Sequence, residues 1–182
     1  MKLYEEKTVK RESIFNGRMI SLHVDEVLLP NGHKSTREVV LHPGAVGIIA
    51  LTEEGKIVLV EQFRKPLERS LVEIPAGKMD AGEDSETTAK RELEEETGYA
   101  CKSLNHIASF YTSPGFSNEI IHLYVAEGLT KENRLSLDED EFVNVIEVTY
   151  EEALQLVKEQ QIFDAKTIYA VQYWQLLKVM GK

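Results

Sequence analysis

Three glutamates, Glu92, Glu95 and Glu96, recur at i, i+3 and i+4 in the stretch from Gly77 to Tyr99, GKMDAGEDSETTAKRELEEETGY, where Arg91 is the sole arginine. On a helix at about 100° per residue these carboxylates share an arc of about 100°, and Ala89 and Leu93 border it on the side that faces a core. Like charges at helical spacing destabilise by about 0.2–0.5 kcal/mol per pair, so the cluster calls for a cation. Carboxylate and carbonyl oxygens suit a hard divalent ion, Mg²⁺ or Mn²⁺, which shares its remaining coordination between water and substrate phosphate. A solvated acidic face would explain the charge run, but it accounts for neither Gly77 and Gly98 nor Arg91, which reaches Glu95 at i+4. Gly98 reads as the helix C-terminal cap and Gly77 as a backbone turn, which leaves the Ala76 carbonyl as a candidate metal donor beside Glu92, Glu95 and Glu96.

The full order is Gly77, five residues, Glu83, seven residues, Arg91-Glu92-Leu93, one residue, Glu95-Glu96, one residue, Gly98. By average residue usage these eight positions coincide by chance roughly once in 10⁹ starting points, so the pattern is specific. It is the pattern of the Nudix box, and the chain resembles a Nudix hydrolase. Tyr99 departs from it, standing where the family usually has an aliphatic residue.

Composition narrows the class. The chain has 182 residues, 42% of them hydrophobic, and fits one enzyme or binding domain. Its formal charge of −10 argues against a nucleic-acid partner. The single cysteine, Cys101, excludes an internal disulfide framework and a cysteine-rich zinc site, and a reducing cytoplasm is the expected compartment. The N-terminus has no apolar signal region, and the longest apolar run, Ala45 to Leu51, is too short to span a bilayer, so no membrane is expected. The five histidines show no metal-ligand spacing.

The elements that must position the box follow from periodicity and turn signals. Residues 1–42 read as a small antiparallel ribbon. Asn16-Gly17 and Pro30-Asn31-Gly32 turn it, and a phase shift after Val24 predicts a bulge near Asp25-Glu26. Residues 43–182 form the main domain. There Ala45 to Thr52 and Ile57 to Phe63 read as a buried hairpin around Glu53 to Lys56, followed by a strand from Ser70 to Ile74. Further strands are expected at Cys101 to Tyr111, Ile120 to Ala126 and Phe142 to Thr149. Helices are expected from Tyr150 to Gln160 and from Ala165 to Met180, the latter capped by Asp164. Tyr169, Tyr173 and Trp174 read as core.

The resemblance implies an α/β fold, the Nudix α/β/α sandwich with a mixed sheet. It points to the ADP-ribose pyrophosphatase subfamily through Pro114, sixteen positions after Gly98, and through Ser-Pro-Gly-x-x-x-Glu at Ser113 to Glu119. It implies Mg²⁺-dependent hydrolysis of ADP-ribose to AMP and ribose 5-phosphate by a homodimer whose N-terminal segment helps form the partner's substrate pocket. Ser113, Gly115 and Glu119 become substrate contacts, as do Arg64, in a Glu-Gln-x-Arg setting, and Arg37. Guanidinium groups suit that task because they fork onto phosphate oxygens and stay charged. Glu139 or Glu141, in the acidic segment before Phe142, becomes the general base, with Glu95 the competing base in other Nudix enzymes. The rival readings are hydrolysis of a nucleotide sugar, a dinucleoside polyphosphate or NADH, and a non-catalytic ADP-ribose sensor. The sensor would be free to lose Glu92, Glu95 or Glu96.

Overall fold

The computed structural model describes residues 3–131 and 142–181. Its elements in order are β1 (Lys7–Asn16), β2 (Ser21–Leu28), β3 (Lys34–Leu41), β4 (Ala45–Ala50), β5 (Ile57–Arg64), β6 (Arg69–Glu73), β7 (Ala76–Lys78), α1 (Ser85–Thr97), β8 (Tyr99–Ala100), β9 (Ser103–Tyr111), β10 (Ile120–Glu127), β11 (Thr130–Lys131), β12 (Val143–Val148), α2 (Tyr150–Lys158) and α3 (Ala165–Val179). The chain divides into two compact units, Met1–Gly44 with Phe110–Ile120, and Ala45–Ser109 with Ile121–Lys182.

In the first unit β1, β2 and β3 form an antiparallel sheet in that order. The expected bulge near Asp25-Glu26 is present in the ladder of β2 with β1, where the Thr8↔Val27 and Lys10↔Glu26 pairs leave Val9 as the extra residue; β2 pairs with β3 without interruption from Ser21↔Leu41 to Leu28↔Lys34. The irregularities lie on β1, between Thr8 and Lys10 and between Ser13 and Phe15. Asp25 stands on the same face of β2 as Val27, the face opposite Leu22 and Val24, and is buried. Arg11 satisfies it with a two-pronged contact at 2.7 Å from both Nε and Nη2, a buried carboxylate paired across strands. The segment Phe110–Ile120 belongs to this unit through the β3 end, where Val40 N–H donates to Phe116 O at 2.8 Å and Asn118 N–H to Val40 O at 3.2 Å.

The second unit carries a mixed sheet in the order β7-β4-β10-β9 and a separate antiparallel sheet in the order β12-β5-β6. β4 and β10 run parallel, from Ala45↔Ile121 to Ala50↔Ala126. The expected hairpin of β4 with β5 does not form: beyond the turn closed by Thr52 N–H on Lys56 O, only Leu51 and Ile57 bridge. β4 is buried along nearly its whole length and β5 from Ile57 to Val60; each is completed by partners of its own, and the turn passes the chain from one sheet to the other. Val46, Ile48, Ala50, Val58, Ala89, Leu93, Tyr99, Tyr124 and Ala126 make the core beneath α1.

Helix α1 begins where Asp84 accepts the N–H groups of Glu86 and Thr87, and ends at Gly98, whose φ of 70° is the left-handed cap that glycine adopts without penalty. Helix α2 opens on a capping box between Thr149 and Glu152, and α3 on Asp164. Of the three aromatics expected in the core, Trp174 is buried, whereas Tyr173 is half-buried and Tyr169 exposed. Five residues of helix turn Tyr169 well away from the face that buries Trp174. No described helix is long and apolar enough to cross a membrane.

Candidate active site

The candidate centre is the acidic face of α1 against β7. Arg91 organises it. Its Nη1 donates to Glu92 Oε1 at 2.9 Å and to Glu95 Oε2 at 2.8 Å, and Nη2 donates to Glu83 Oε2 at 3.0 Å. One guanidinium therefore gathers three box carboxylates, which offsets the repulsion their spacing creates. Hydrogen bonds from Arg91 and then Thr88 hold the Glu83 carboxyl below its ordinary range, and the same contacts, Glu83 first, raise the Arg91 pKa. Glu83 is a site residue that helical spacing could not assign, because it lies before the helix begins. Its fixed place in the box pattern is the one signal of it.

Glu96 is 2% exposed, and its Oε2 accepts the Ala76 N–H at 2.9 Å, which pins the helix face to the start of β7. That bond brings the Ala76 backbone against the acidic face of α1. Glu92 is buried and fills the space where a side chain at Gly77 would stand: a Cβ there would overlap the Glu92 carboxylate. Gly77 is therefore not a turn residue as its type suggested. It lies within β7, paired with Val46, and is glycine because a carboxylate packs against its backbone. Glu95 is more open, with 36% of its side chain exposed.

Among the described residues no three His, Cys, Asp and Glu side chains already converge as a metal cage. The donor chemistry nonetheless fits a hard divalent ion: oxygen ligands only, two of them buried carboxylates, with a glycine keeping one of these carboxylates in place. Tyr99, the departure from the pattern, is buried beside Leu93, and its hydroxyl donates to Glu147 at 2.6 Å, so it packs as the aliphatic residue would and touches none of the box carboxylates. Burial, and then the bond to Glu147, push the Tyr99 phenol up to about 12.

Arg64, at the end of β5, forks onto Glu73 with Nε to Oε1 at 2.7 Å and Nη2 to Oε2 at 2.8 Å. Glu73, 2% exposed at the end of β6, also accepts from Lys166 at the start of α3. Neither Glu73 nor Lys166 stood out in the sequence, since a lone glutamate in Leu-Val-Glu-Ile and a lysine in a helix give no local signal. Burial pushes the Glu73 carboxyl up, but the Arg64 hydrogen bonds and the Lys166 charge outweigh it and bring it down to about 2, against 4.5 ordinarily. A carboxyl depressed in the folded state stabilises the fold fully above about pH 4.5, and the contribution, about 3 kcal/mol, is lost as pH falls toward 2. Urea unfolding of the protein and of Glu73→Gln across pH 2–6 checks this: the stability gap between them is expected to close as pH falls through that window, and a gap independent of pH would refute it.

In the first unit Arg37 on β3 is engaged locally through four hydrogen bonds. It donates to Glu6 from Nε at 2.7 Å and Nη2 at 2.6 Å, and from Nη1 to Ser35 Oγ at 2.9 Å and Thr36 O at 2.8 Å. In the Phe110–Ile120 segment the Ser113 carbonyl accepts from Phe116 and Ser117 N–H, which shapes the turn around Gly115. Glu119 accepts from Thr112 Oγ1 at 2.5 Å and stands 3.9 Å from His42. Glu139 and Glu141 lie outside the described residues.

Comparison with known proteins places this geometry. The family profile described as NUDIX domain matches residues 41–171, and one described as Nucleoside diphosphate sugar hydrolase N-terminal domain matches residues 6–40. A protein of Bacillus methanolicus named Methanol dehydrogenase activator is 63% identical over 180 residues, 98% of this chain and 97% of its own length. A protein of Bacillus subtilis (strain 168) named ADP-ribose pyrophosphatase is 59% identical over 181 residues, 99% of this chain and 98% of its own length. A solved structure described as an ADP compounds hydrolase superposes with a TM-score of 0.86 over 100% of this chain and 98% of that one at 20% identity, a likeness of fold.

Proposed function

The chain belongs to the Nudix hydrolase family, and from that premise we propose that it is an ADP-ribose pyrophosphatase, cleaving the diphosphate of ADP-ribose to AMP and ribose 5-phosphate. One observation carries the reading: the box carboxylates and Arg91 are intact and gathered on α1 in a chain 59% identical, end to end, to a protein of that name. Nudix hydrolases work with divalent cations, and Mg²⁺ is the proposed one, held by the Ala76 carbonyl with Glu92, Glu95 and Glu96. Bound there, it would neutralise the diphosphate and acidify a water for attack at phosphorus.

The chain's own groups do the rest. Arg91 keeps Glu92 and Glu95 together, and the Glu96 bond to Ala76 N–H fixes the helix against β7. Arg64, Arg37, Ser113, Gly115 and Glu119 are the proposed substrate contacts, the two arginines by donating to phosphate oxygens. For Arg37 this requires exchange of its local partners, since nearly all its N–H groups are in use. Glu141 or Glu139 takes the proton from the attacking water, with Glu95 the alternative base. Replacing Glu139 or Glu141 with Gln is expected to lower kcat by roughly 10²–10⁴-fold with a smaller change in KM, the usual scale of general-base catalysis. Wild-type kcat in the single and double variants would move the role to Glu95.

Residues 1–42 are proposed as a segment that docks on a second copy of the chain and residues 43–182 as the catalytic domain, acting as a cytoplasmic homodimer on a small nucleoside diphosphate without nucleic acid or membrane. β1 is exposed along its whole length and leaves Val9, Ile14 and Phe15 open to solvent, apolar surface that a second copy would cover. A monomer mass by light scattering together with full activity would remove the dimer.

A substrate panel with product identification tests the assignment: AMP from ADP-ribose in preference to products from nucleotide sugars, dinucleoside polyphosphates or NADH supports it. The match of residues 6–40 to a nucleoside diphosphate sugar hydrolase segment is what keeps nucleotide sugars in the panel. A second reading comes from the relative named Methanol dehydrogenase activator. Adding the protein, and Glu96→Gln in parallel, to purified methanol dehydrogenase distinguishes activation that needs hydrolysis from activation by contact.

A further inference from the structure

The ion cluster behind Arg64 has a composition that a simple salt bridge would not need. Glu73 is a buried single carboxylate that serves two cations, the Arg64 guanidinium and the Lys166 ammonium. The two cations differ in access: the Arg64 side chain is 38% exposed, whereas that of Lys166 is 10% exposed. Lys166 also donates to Asp164 Oδ1 at 3.0 Å, the same oxygen that caps α3 by accepting the Thr167 N–H. Lys166 is therefore enclosed between two carboxylates and has no route to a ligand.

Arg64 presents a different picture. Its Nε and Nη2 are occupied by Glu73, while Nη1 makes no hydrogen bond among the described residues. Paired with Glu73 alone, the guanidinium would be electrically cancelled by a carboxylate 2.7 Å away and would offer a phosphate little attraction. Lys166 divides its charge between Glu73 and Asp164, so the four groups together are neutral; without Lys166 they would carry one net negative charge around Arg64, the most exposed of the four. The two-pronged grip of Glu73 also fixes the plane of the guanidinium, so the charge is delivered in one orientation.

We propose that Lys166 is a positioning residue for the diphosphate: by neutralising Glu73 from behind, it leaves the oriented Arg64 guanidinium its charge for the substrate phosphates. The proposal rests on the reading of Arg64 as a phosphate contact. It assigns a buried lysine on the C-terminal helix, remote in sequence from the box, to substrate affinity.

The test compares steady-state kinetics on ADP-ribose at saturating Mg²⁺ for the wild type, Lys166→Gln, Lys166→Arg, Arg64→Gln and the Lys166→Gln/Arg64→Gln pair. Gln at 166 keeps a donor for Glu73 and removes the charge, so KM is expected to rise about tenfold with kcat changed by less than about threefold. Arg at 166 keeps the charge and is expected to hold KM within about threefold of wild type. In the Arg64→Gln background the Lys166→Gln change is expected to add nothing, because the charge it protects is gone. A lysine that merely pins α3 would give the reverse pattern: Gln tolerated, or equal losses in both backgrounds, and either result overturns the proposal. Should Lys166→Gln not fold, Lys166→Arg decides alone, since a KM raised about tenfold with the charge retained refutes it. A KM unchanged in Arg64→Gln would remove the phosphate contact itself and the proposal with it, whereas a raised KM in Arg64→Gln beside an unchanged one in Lys166→Gln overturns the Lys166 role alone.

Discussion

Glu96→Gln and Glu92→Gln are each expected to lower kcat about 10³-fold or more at saturating divalent cation while the chain still folds, since each removes one ligand charge and several kcal/mol of electrostatic stabilisation at the reacting diphosphate. The fold survives for a reason visible at each residue. A glutamine oxygen at position 96 can still accept the Ala76 N–H, and Arg91 retains Glu83 and Glu95 if Glu92 is neutralised. The cluster's self-repulsion would by itself predict greater metal-free stability in these variants. The structure predicts no such gain for Glu92→Gln, because Arg91 already offsets the repulsion and the substitution removes an ion pair. Thermal unfolding without metal and turnover with it check both halves, and near-normal rates in both variants would dismiss the metal assignment.

Gly77→Ala is expected to lower kcat by about 10²-fold or more through a single methyl group, on the scale of a misplaced catalytic constellation. Gly77 does not occupy the left-handed region, so alanine carries no backbone penalty there. What it meets is the Glu92 carboxylate, buried and tied to Arg91. Only that carboxylate can give way, and its displacement takes a proposed metal donor out of position. Activity should therefore fall far more than stability, and weaker divalent-cation dependence should accompany it. Equal activity of Gly77→Ala and wild type would show that the carboxylate can occupy another position without loss, and would remove Glu92 from the metal set.

The two units were legible to different degrees. Helix α1, with its Asp84 start, Gly98 stop, inward Ala89 and Leu93 and the Arg91 to Glu95 contact, follows from local spacing, and so do α3 with Asp164 and the turns of the ribbon. These features are set by neighbours within four or five residues, where propensity, capping and periodicity act directly. The features that local spacing left open share one origin. The bulge expected near Asp25-Glu26 falls on the partner strand β1, and Asp25 is paired there with Arg11, which the alternation of β2 alone does not show. The expected β4 and β5 hairpin was a crossing between sheets, because two short apolar runs look alike whether they pair with each other or with β10 and β12.

What the sequence determined by itself was the chemistry: a fixed spacing of carboxylates, one arginine and two glycines defines the Nudix box, because a helix turns spacing into a shared face. What only the tertiary structure decided was who satisfies whom. Glu96 caps the Ala76 amide twenty residues away, Glu92 occupies the absent side chain of Gly77, and Lys166 shares Glu73 with Arg64 across ninety-three residues. Such pairings have no local signature, since a buried charge is fixed by whichever partner the folded chain brings within hydrogen-bond reach, and the low-dielectric interior makes that partner obligatory wherever it lies in the sequence.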